Sequence, residues 1–375
     1  MIYLDSAATT LEKPAAVRCA MARAVNAMSS PGRGSHRATR LAEEMDYTCR
    51  TAAAELFGVE DESNVVFTGN ATHGLNIAIH TLVQSGSRVV ITGYEHNAVT
   101  RPLHAIPNVT LTVLDTPPFQ PDRTIEELKA ALSHGADVVI CNHVSNVFGC
   151  IQPVEEMAAL CAEAGVPFVL DASQSAGILP VRMDRLHAAF IAMPGHKGLY
   201  GPQGTGLLLC GHEAVPLLYG GTGSLSRLQT MPEMLPDRLE SGTHNMPGIA
   251  GLLEGIRYVQ RTGMETIAAH ERRLTAQAVK LLRQTEGIRL FWCDGFRHQT
   301  GVLSFIVEGT DCEELGEAMA RRGVALRSGL HCAPLAHRTA GTLKTGTVRF
   351  SPSAFNTPAQ VTQFVQMLQT TLRKM

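Results

Sequence analysis

Between about Asn64 and Cys210, short β-branched runs alternate with amphipathic helical patterns, and this rhythm constrains the fold more than any other feature of the sequence. NVVFTG leads into ATHGLNIAIHTLV, SRVVITG follows, and VTLTVLD passes through a Pro-rich turn into TIEELKAALSHG. DVVICNHVSN then precedes VEEMAALCAEAG, PFVLDASQSAG follows, and AAFIAMPGHKG leads to GTGLLLC. Strands alternating with helices imply an α/β fold class, with a mostly parallel central sheet covered by helices.

Downstream the pattern changes. Residues from about Gly211 to Pro247 are rich in Gly, Ser and Pro, including YGGTGSLSR and RLESGTHNMPG, and read as loops. GIAGLLEGIRYVQRTG and METIAAHERRLTAQAVKLLRQTEG read as helices, followed by strands in GIRLFWC, TGVLSFIVEG, VALRSG and GTVRFSPS and a helix in TPAQVTQFVQMLQTTLRKM. A chain of 375 residues, 45% of them hydrophobic, has enough apolar material for two domains. The expected division is a large α/β domain over residues 15–247 and a smaller α/β domain over 248–375, joined by an N-terminal arm of residues 1–14.

The formal net charge is −2, and no basic arm or aromatic-interleaved basic patch is present, which argues against nucleic acid as a partner. No apolar run is long enough to span a membrane, so none is expected as a partner. MIYLDSAATTLEKP lacks the basic start and apolar stretch of a secretory signal, and the cytoplasm is the expected compartment. The nine cysteines lack close CxxC pairing and are expected to be mostly reduced core residues, with no metal site among them.

In a sheet of this kind, ligands gather beyond the carboxyl ends of the strands. Thr72, His73, His96, Asn146, Asp171, Gln174 and Lys197 all fall at such ends. Lys197 in MPGHKG follows Asp171 in FVLDASQSAG by 26 positions. A lysine amine can form a Schiff base with the aldehyde of pyridoxal 5′-phosphate, and an aspartate can pair with the protonated pyridine nitrogen to strengthen the ring as an electron sink. Alone, a lysine is usually solvated and a strand-end aspartate usually caps a helix. Together they point to chemistry at the alpha carbon of an amine.

The neighbouring motifs extend that reading. Gln174 or Asn146 can hydrogen-bond the cofactor hydroxyl. His96 in TGYEHNAVT can stack over the ring and shuttle a proton, against a plainer role as a helix-start or core histidine. TGNATHG offers a phosphate cradle at a helix start, through backbone donors around Ala71 and the Thr72 hydroxyl, with His196 as a further phosphate neighbour. GPQGTG lacks the order of a nucleotide-binding P-loop, and GRGS at 32–35 reads as an ordinary turn. Cys332 in LRSGLHCAP places a nucleophilic residue type on a loop after a strand, and Arg349 in GTVRFS can hold a carboxylate bidentately. The plain alternatives are a buried structural cysteine and a structural arginine.

YLDSAATT, PGRGSH, FTGNATHGLN, YEHNAV, HVSNVFG, LDASQSAG, GHKGLYGPQGTG, ESGTHN, RSGLHCAP and TVRFSPSAFNT occur in that order over nearly the whole chain. They resemble the class V aminotransferase family, especially its short-loop cysteine desulfurases and selenocysteine lyases. The resemblance implies a fold type I homodimer that binds pyridoxal phosphate, with Thr243 of the neighbouring subunit reaching the phosphate. It assigns Lys197 the cofactor linkage and alpha-proton transfer, His96 stacking and acid/base work, and Asp171 the pyridinium proton. Asn146 and Gln174 tune the ring, Ala71, Thr72 and His196 serve the phosphate, and Arg349 engages the substrate carboxylate. Cys332 attacks the sulfur of L-cysteine, giving a persulfide and alanine, and the sulfur then passes to an acceptor protein.

Four positions depart from the family pattern: Pro194 stands where Ser or Thr is common, His73 where an acidic residue is, Ser6 where Asn is, and Phe148 makes HVSNVFG bulkier. The rival readings are selenocysteine cleavage, another aminotransferase or lyase, and a non-catalytic protein of the same fold.

Overall fold

The computed structural model describes residues 1–32 and 34–375. Its strands are β1 (Ile2–Tyr3), β2 (Val65–Thr68), β3 (Arg88–Thr92), β4 (Thr110–Leu114), β5 (Val138–Asn142), β6 (Phe168–Asp171), β7 (Phe190–Pro194), β8 (Gly206–Cys210), β9 (Ile288–Phe291), β10 (Leu303–Val307), β11 (Val324–Ala325), β12 (Arg327–Gly329) and β13 (Thr347–Phe350). Seven form one sheet in the order β2-β8-β7-β6-β5-β3-β4. The pairings from β7 through β4 are parallel, whereas β8 is antiparallel to both of its neighbours, so β8 alone runs against the rest.

Helices cover both faces, which is why the central strands are apolar throughout instead of alternating with polar residues. Successive side chains still go to opposite faces. Val139, Cys141, Leu170, Ile191 and Met193 join a core with the helices Arg37–Phe57, Val154–Glu163 and Met246–Thr262. Val138, Ile140, Val169, Phe190 and Ala192 point the other way, into a core with the helices Ala71–Leu82 and Asn97–Ala105.

A second, antiparallel sheet has the order β12-β13-β10-β9. The helices Met264–Leu282, Cys312–Arg321 and Pro358–Leu372 pack on it through Leu274, Leu315, Phe364 and their neighbours. The start of the chain adds to this layer: β1 pairs in parallel with β11, and Ser351 N–H donates to Leu4 O at 2.8 Å. The architecture is thus the expected α/β fold, a large mostly parallel sheet with a smaller sheet beside it.

Two helices precede the alternating segment, Ala15–Ala27 and Arg37–Phe57, and the second ends at Gly58 in the left-handed conformation with φ 66°. In the GRGS segment, Gly32 has φ 69° and donates to Glu43 Oε1 at 3.1 Å; Arg33 lies outside the described residues. Gly177 and Gly198 meet backbone to backbone, where a Cβ on either would collide with the other's turn. That contact seats the loop after β7, which carries Lys197, against the turn after β6. Among the described residues, no helix is long and apolar enough to cross a membrane.

Candidate active site

Six of the sheet's strands end on one side, and the ends of five of them, β2, β3, β5, β6 and β7, line a cavity of about 210 Å³. β6 delivers Asp171, and the turn after it delivers Ser173 and Gln174. β5 ends at Asn142, with Asn146 on the following loop; β7 ends at Pro194, with His196 and Lys197 beyond. β2 leads to Asn70, Ala71 and Thr72 at the start of a helix, and β3 leads to His96 at the start of another. Ala7 and Ala8 close the wall from the N-terminal arm, and Arg327, His331 and Arg349 from the second sheet and its loops.

Lys197 is half-buried, and desolvation pushes its amine down to about 8, with the charge of Asp171 opposing and those of Arg349 and Arg327 assisting. One Asp171 oxygen accepts from Ser173 N–H at 2.8 Å, fixing the carboxylate at the strand end. His96 caps a helix and also lines the cavity. Its Nδ1 accepts from Ala98 N–H at 3.0 Å as the cap of the Asn97–Ala105 helix, while the ring lines the cavity. Burial lowers His96 to about 4, so near neutral pH the ring is uncharged, with its proton on Nε2 because Nδ1 is the acceptor.

The helix Ala71–Leu82 begins at the cavity, its cap Asn70 accepting from His73 N–H at 2.9 Å. Unpaired first-turn N–H groups and the helix dipole make this end attractive to an anion. His196 Nδ1 pairs with Thr9 Oγ1 at 3.0 Å, and burial lowers the ring to about 4. Its carbonyl accepts from Thr10 Oγ1 and Lys13 Nζ, both at 3.0 Å, and Gln174 Nε2 donates to Ala7 O at 2.9 Å. The arm therefore braces two cavity residues from behind. Pro194 leaves the cavity wall without a hydroxyl at that position.

On the other wall, β12 and β13 place Arg327 directly opposite Arg349. Arg349 is fully buried; it donates to Asp5 Oδ1 at 2.7 Å and to Asn146 O at 2.8 Å, while its Nε has no partner. Two guanidinium groups on one wall favour a carboxylate between them and solvent. Asn142 Oδ1 and Asn146 Oδ1 are also buried and unpartnered. These unsatisfied polar atoms suit a polar ligand, because each is costly when left unpaired.

Cys332 is exposed and sits outside the lining, on a loop where His331 and Cys332 both have positive φ, 50° and 57°. Asn97 N–H donates to Cys332 O at 2.8 Å, tying the loop to the helix that His96 caps. Arg327 Nη2 lies 3.5 Å from Cys332 Sγ. Thr243 lines a different cavity of about 200 Å³, together with His73, Thr205 and Asn245.

Sequence reasoning missed Arg327, His331, Asn142 and Asp5. Arg327 and His331 were within sight, in the same RSGLHCAP stretch as Cys332, but their approach to the cavity depends on the pairing of β12 with β13. It also missed Glu95, a buried carboxyl behind Asn142 that accepts from Thr92 Oγ1 at 2.6 Å and Asn142 N–H at 2.9 Å. Burial raises Glu95 to about 8.

The family model for class-V aminotransferases matches residues 2–364. The chain belongs to the class-V aminotransferase family. This class-V protein is 32% identical over 98% of its length to a probable cysteine desulfurase of Mycolicibacterium paratuberculosis (strain ATCC BAA-968 / K-10), and spans only 55% of that protein. It is 30% identical to a probable cysteine desulfurase of Pyrococcus abyssi (strain GE5 / Orsay), covering 98% of this chain and 94% of the other. In three dimensions it is similar to the apo structure of cysteine desulfurase from Thermococcus onnurineus NA1, with a TM-score of 0.91, 30% identity, and coverage of 100% of this chain and 95% of that one.

Proposed function

We propose that this class-V protein is a pyridoxal-phosphate-dependent cysteine desulfurase that converts L-cysteine to L-alanine through a persulfide on Cys332. The observation that carries the reading is one cavity walled by Lys197, Asp171, a helix start and paired arginines, with Cys332 on a tethered loop beside Arg327. Its donor set fits the cofactor. Lys197 would hold the aldehyde end, Asp171 the pyridinium nitrogen, Asn146 and Gln174 the ring hydroxyl, and Ala71, Thr72 and His196 the phosphate. When bound, the cofactor supplies an electron sink for charge developing at the substrate's alpha carbon.

The remaining chemistry belongs to the chain's own side chains. Arg349, with Arg327 opposite, would anchor the substrate carboxylate. Lys197, depressed toward neutrality by burial, would take the alpha proton as a free amine. His96, uncharged with Nε2–H turned from its cap, would stack on the ring and donate a proton. Cys332 would attack the substrate sulfur; the carbon–sulfur bond breaks and a sulfur–sulfur bond forms. The persulfide then passes to the thiol of an acceptor protein. A homodimer would bring Thr243 of a second copy to the phosphate. Support comes from the exposed apolar side chains of Leu218, Tyr219, Leu225 and Leu228 on the long loop before Thr243, a patch that a second copy would cover.

The decisive experiment adds L-cysteine to the purified protein loaded with pyridoxal phosphate and follows the absorption spectrum while alanine and sulfide are quantified. Matched alanine and sulfide are expected. A retained cofactor with neither product sinks the proposal, and keto-acid-dependent amine transfer in their place would assign an aminotransferase.

A further inference from the structure

Past the end of β5 lies a groove of about 430 Å³ that shares no lining residue with the main cavity. Alternation along the extended chain separates the two: Asn142 and Val144 line the main cavity, and His143 between them lines the groove. The chain then turns over residues 145–150 and comes back, with Val144 bridged to Ile151 and Gln152 N–H donating to His143 O at 2.9 Å. That return sets Gln152 beside His143, at the foot of the helix Val154–Glu163.

Several polar groups of the groove lack partners. His143 is only 6% exposed, and its Nδ1 is buried with no hydrogen-bond partner. Gln152 is 5% exposed; its Oε1 accepts from Thr124 Oγ1 at 3.3 Å, while its Nε2 has no acceptor among the described residues. The helix has no side-chain cap. Val154 N–H donates to Gln152 O at 2.9 Å and Met157 N–H to Pro153 O at 3.0 Å. The N–H groups of Glu155 and Glu156 between them have no acceptor among the described residues. Burial lowers His143 to about 4, so near neutral pH the ring is uncharged and can present Nδ1–H. A buried donor left unpaired is costly, and this groove offers several.

Unreceived donors at a helix N-terminus suit an anion. The exposed side chains of Glu155 and Glu156 lie on the same first turn, and Arg182 on the rim is already paired with Asp184. One negative charge is therefore accommodated better than the two of a phosphate. The remaining walls, Ile151, Leu179, Pro180 and Leu186, are apolar. Mostly apolar walls, a few placed polar groups and this volume are the features of a small-molecule site.

We propose that the groove is a second ligand site, separate from the main cavity, that binds a small monocarboxylic acid with a short apolar body. The carboxylate accepts from Gln152, His143 and the helix start, and the body packs on Leu179, Pro180 and Leu186. The site stands one strand end from the main cavity, since His143 N–H donates to Asp171 O at 3.0 Å.

The test is calorimetric titration of the cofactor-loaded, full-length protein with isocaproate, and with isocaproamide and isohexylammonium as its neutral and cationic counterparts. The acid should bind about tenfold or more tightly than the amide, the scale of one hydrogen bond to a charged group, and the ammonium should not bind. His143→Leu and Gln152→Leu should each weaken the acid by about tenfold. Leu179 is half-buried on the wall: Leu179→Glu should abolish binding and Leu179→Lys should keep or tighten it, a contrast that a folding defect would not produce. Equal binding of acid and amide, equal loss in Leu179→Glu and Leu179→Lys, or no binding at millimolar acid overturns the proposal. Binding that survives Leu179→Glu but vanishes in Arg349→Gln puts the acid on the arginine wall of the main cavity, and overturns it too. None of these readouts depends on turnover, so a failed desulfurase assay leaves them standing.

Discussion

The loop that carries Thr243 hangs on a buried charge cluster, and that cluster makes a quantitative prediction. Arg50 donates to Glu240 at 2.8 and 2.6 Å and to Asp46 at 2.9 Å, with its side chain 5% exposed and that of Glu240 4%. Glu240 also accepts from Phe67 N–H, and His244 bridges Asp46 at 3.0 Å and Glu240 at 3.3 Å. The side chains of Asp46, Glu240 and His244 present ligand-type atoms close together, but both carboxylates are already paired with Arg50 and His244. Replacing Glu240 by Gln keeps the shape and one acceptor while turning an NH2 group toward the Arg50 donors. Breaking one partner of a buried pair typically costs 3–5 kcal/mol; because Asp46 still holds Arg50, the loss expected here is about 3 kcal/mol.

The assay is equilibrium denaturation, read as a midpoint shift at constant slope. The double change Arg50→Met with Glu240→Leu should lose less than the sum of the singles, because it leaves no unpaired buried charge. His244 adds a pH signature. Burial lowers its value, but the hydrogen bond to Asp46 and the charge of Glu240 override that, and its folded value is raised above 6.5. A raised folded value gives stability that is fully present below 6.5 and is lost as pH rises through the folded value. Glu240→Gln should flatten that slope. A loss within about 0.5 kcal/mol of zero, the range of an ordinary surface change, or strictly additive single and double losses, would refute the reasoning.

Three further outcomes test the site. His96→Asn keeps a capping side chain and should preserve stability while removing the ring, whereas His96→Ala should lose the activity and also about 1 kcal/mol of stability; equal stabilities would count against the capping role, by denaturation midpoint. Cys332→Ala should leave cofactor loading intact and cut alanine formation by on the order of 10³-fold, as loss of a nucleophile does, with normal persulfide levels on the variant contradicting the assignment. Gly198→Ala drives a methyl into the Ala176 carbonyl and should cost about 1–3 kcal/mol while weakening cofactor retention; full retention at wild-type stability would show that the close approach does not seat Lys197.

What the sequence revealed of the site follows from how local each signal was. Lys197, Asp171, His96, Asn146, Gln174 and Thr72 each stand just past an apolar strand run, and all of them line one cavity because parallel strands deliver their carboxyl ends to one side. Arg327 escaped notice because its approach to Arg349 is a matter of antiparallel register. The helix Ala15–Ala27 starts at Pro14 with no side-chain cap and no acidic residue in its first turn, so the usual start signals are missing. The reversed direction of β8 leaves no trace in its own residues, since a strand buried on both faces is apolar whichever way it runs.

The N-terminal arm shows what sequence reading had no means of supplying. Asp5 binds Arg349, the Ala7 carbonyl holds Gln174, Thr9 holds the His196 ring, and Thr10 and Lys13 hold the His196 carbonyl. At its root the same arm is fixed by β1 on β11 and by Ser351 on Leu4. One short segment therefore touches the second sheet, the paired-arginine wall and the lysine loop at once. A shift of the second sheet relative to the large one would strain these bonds together, and would be felt first at Gln174 and His196, the residues assigned to the cofactor's ring and phosphate. Burial also lowers Lys13 to about 8, so its charge, and with it the grip on the His196 carbonyl, weakens as pH rises through that value. The geometry of the cavity is thus set as much by the arm behind it as by the strand ends in front.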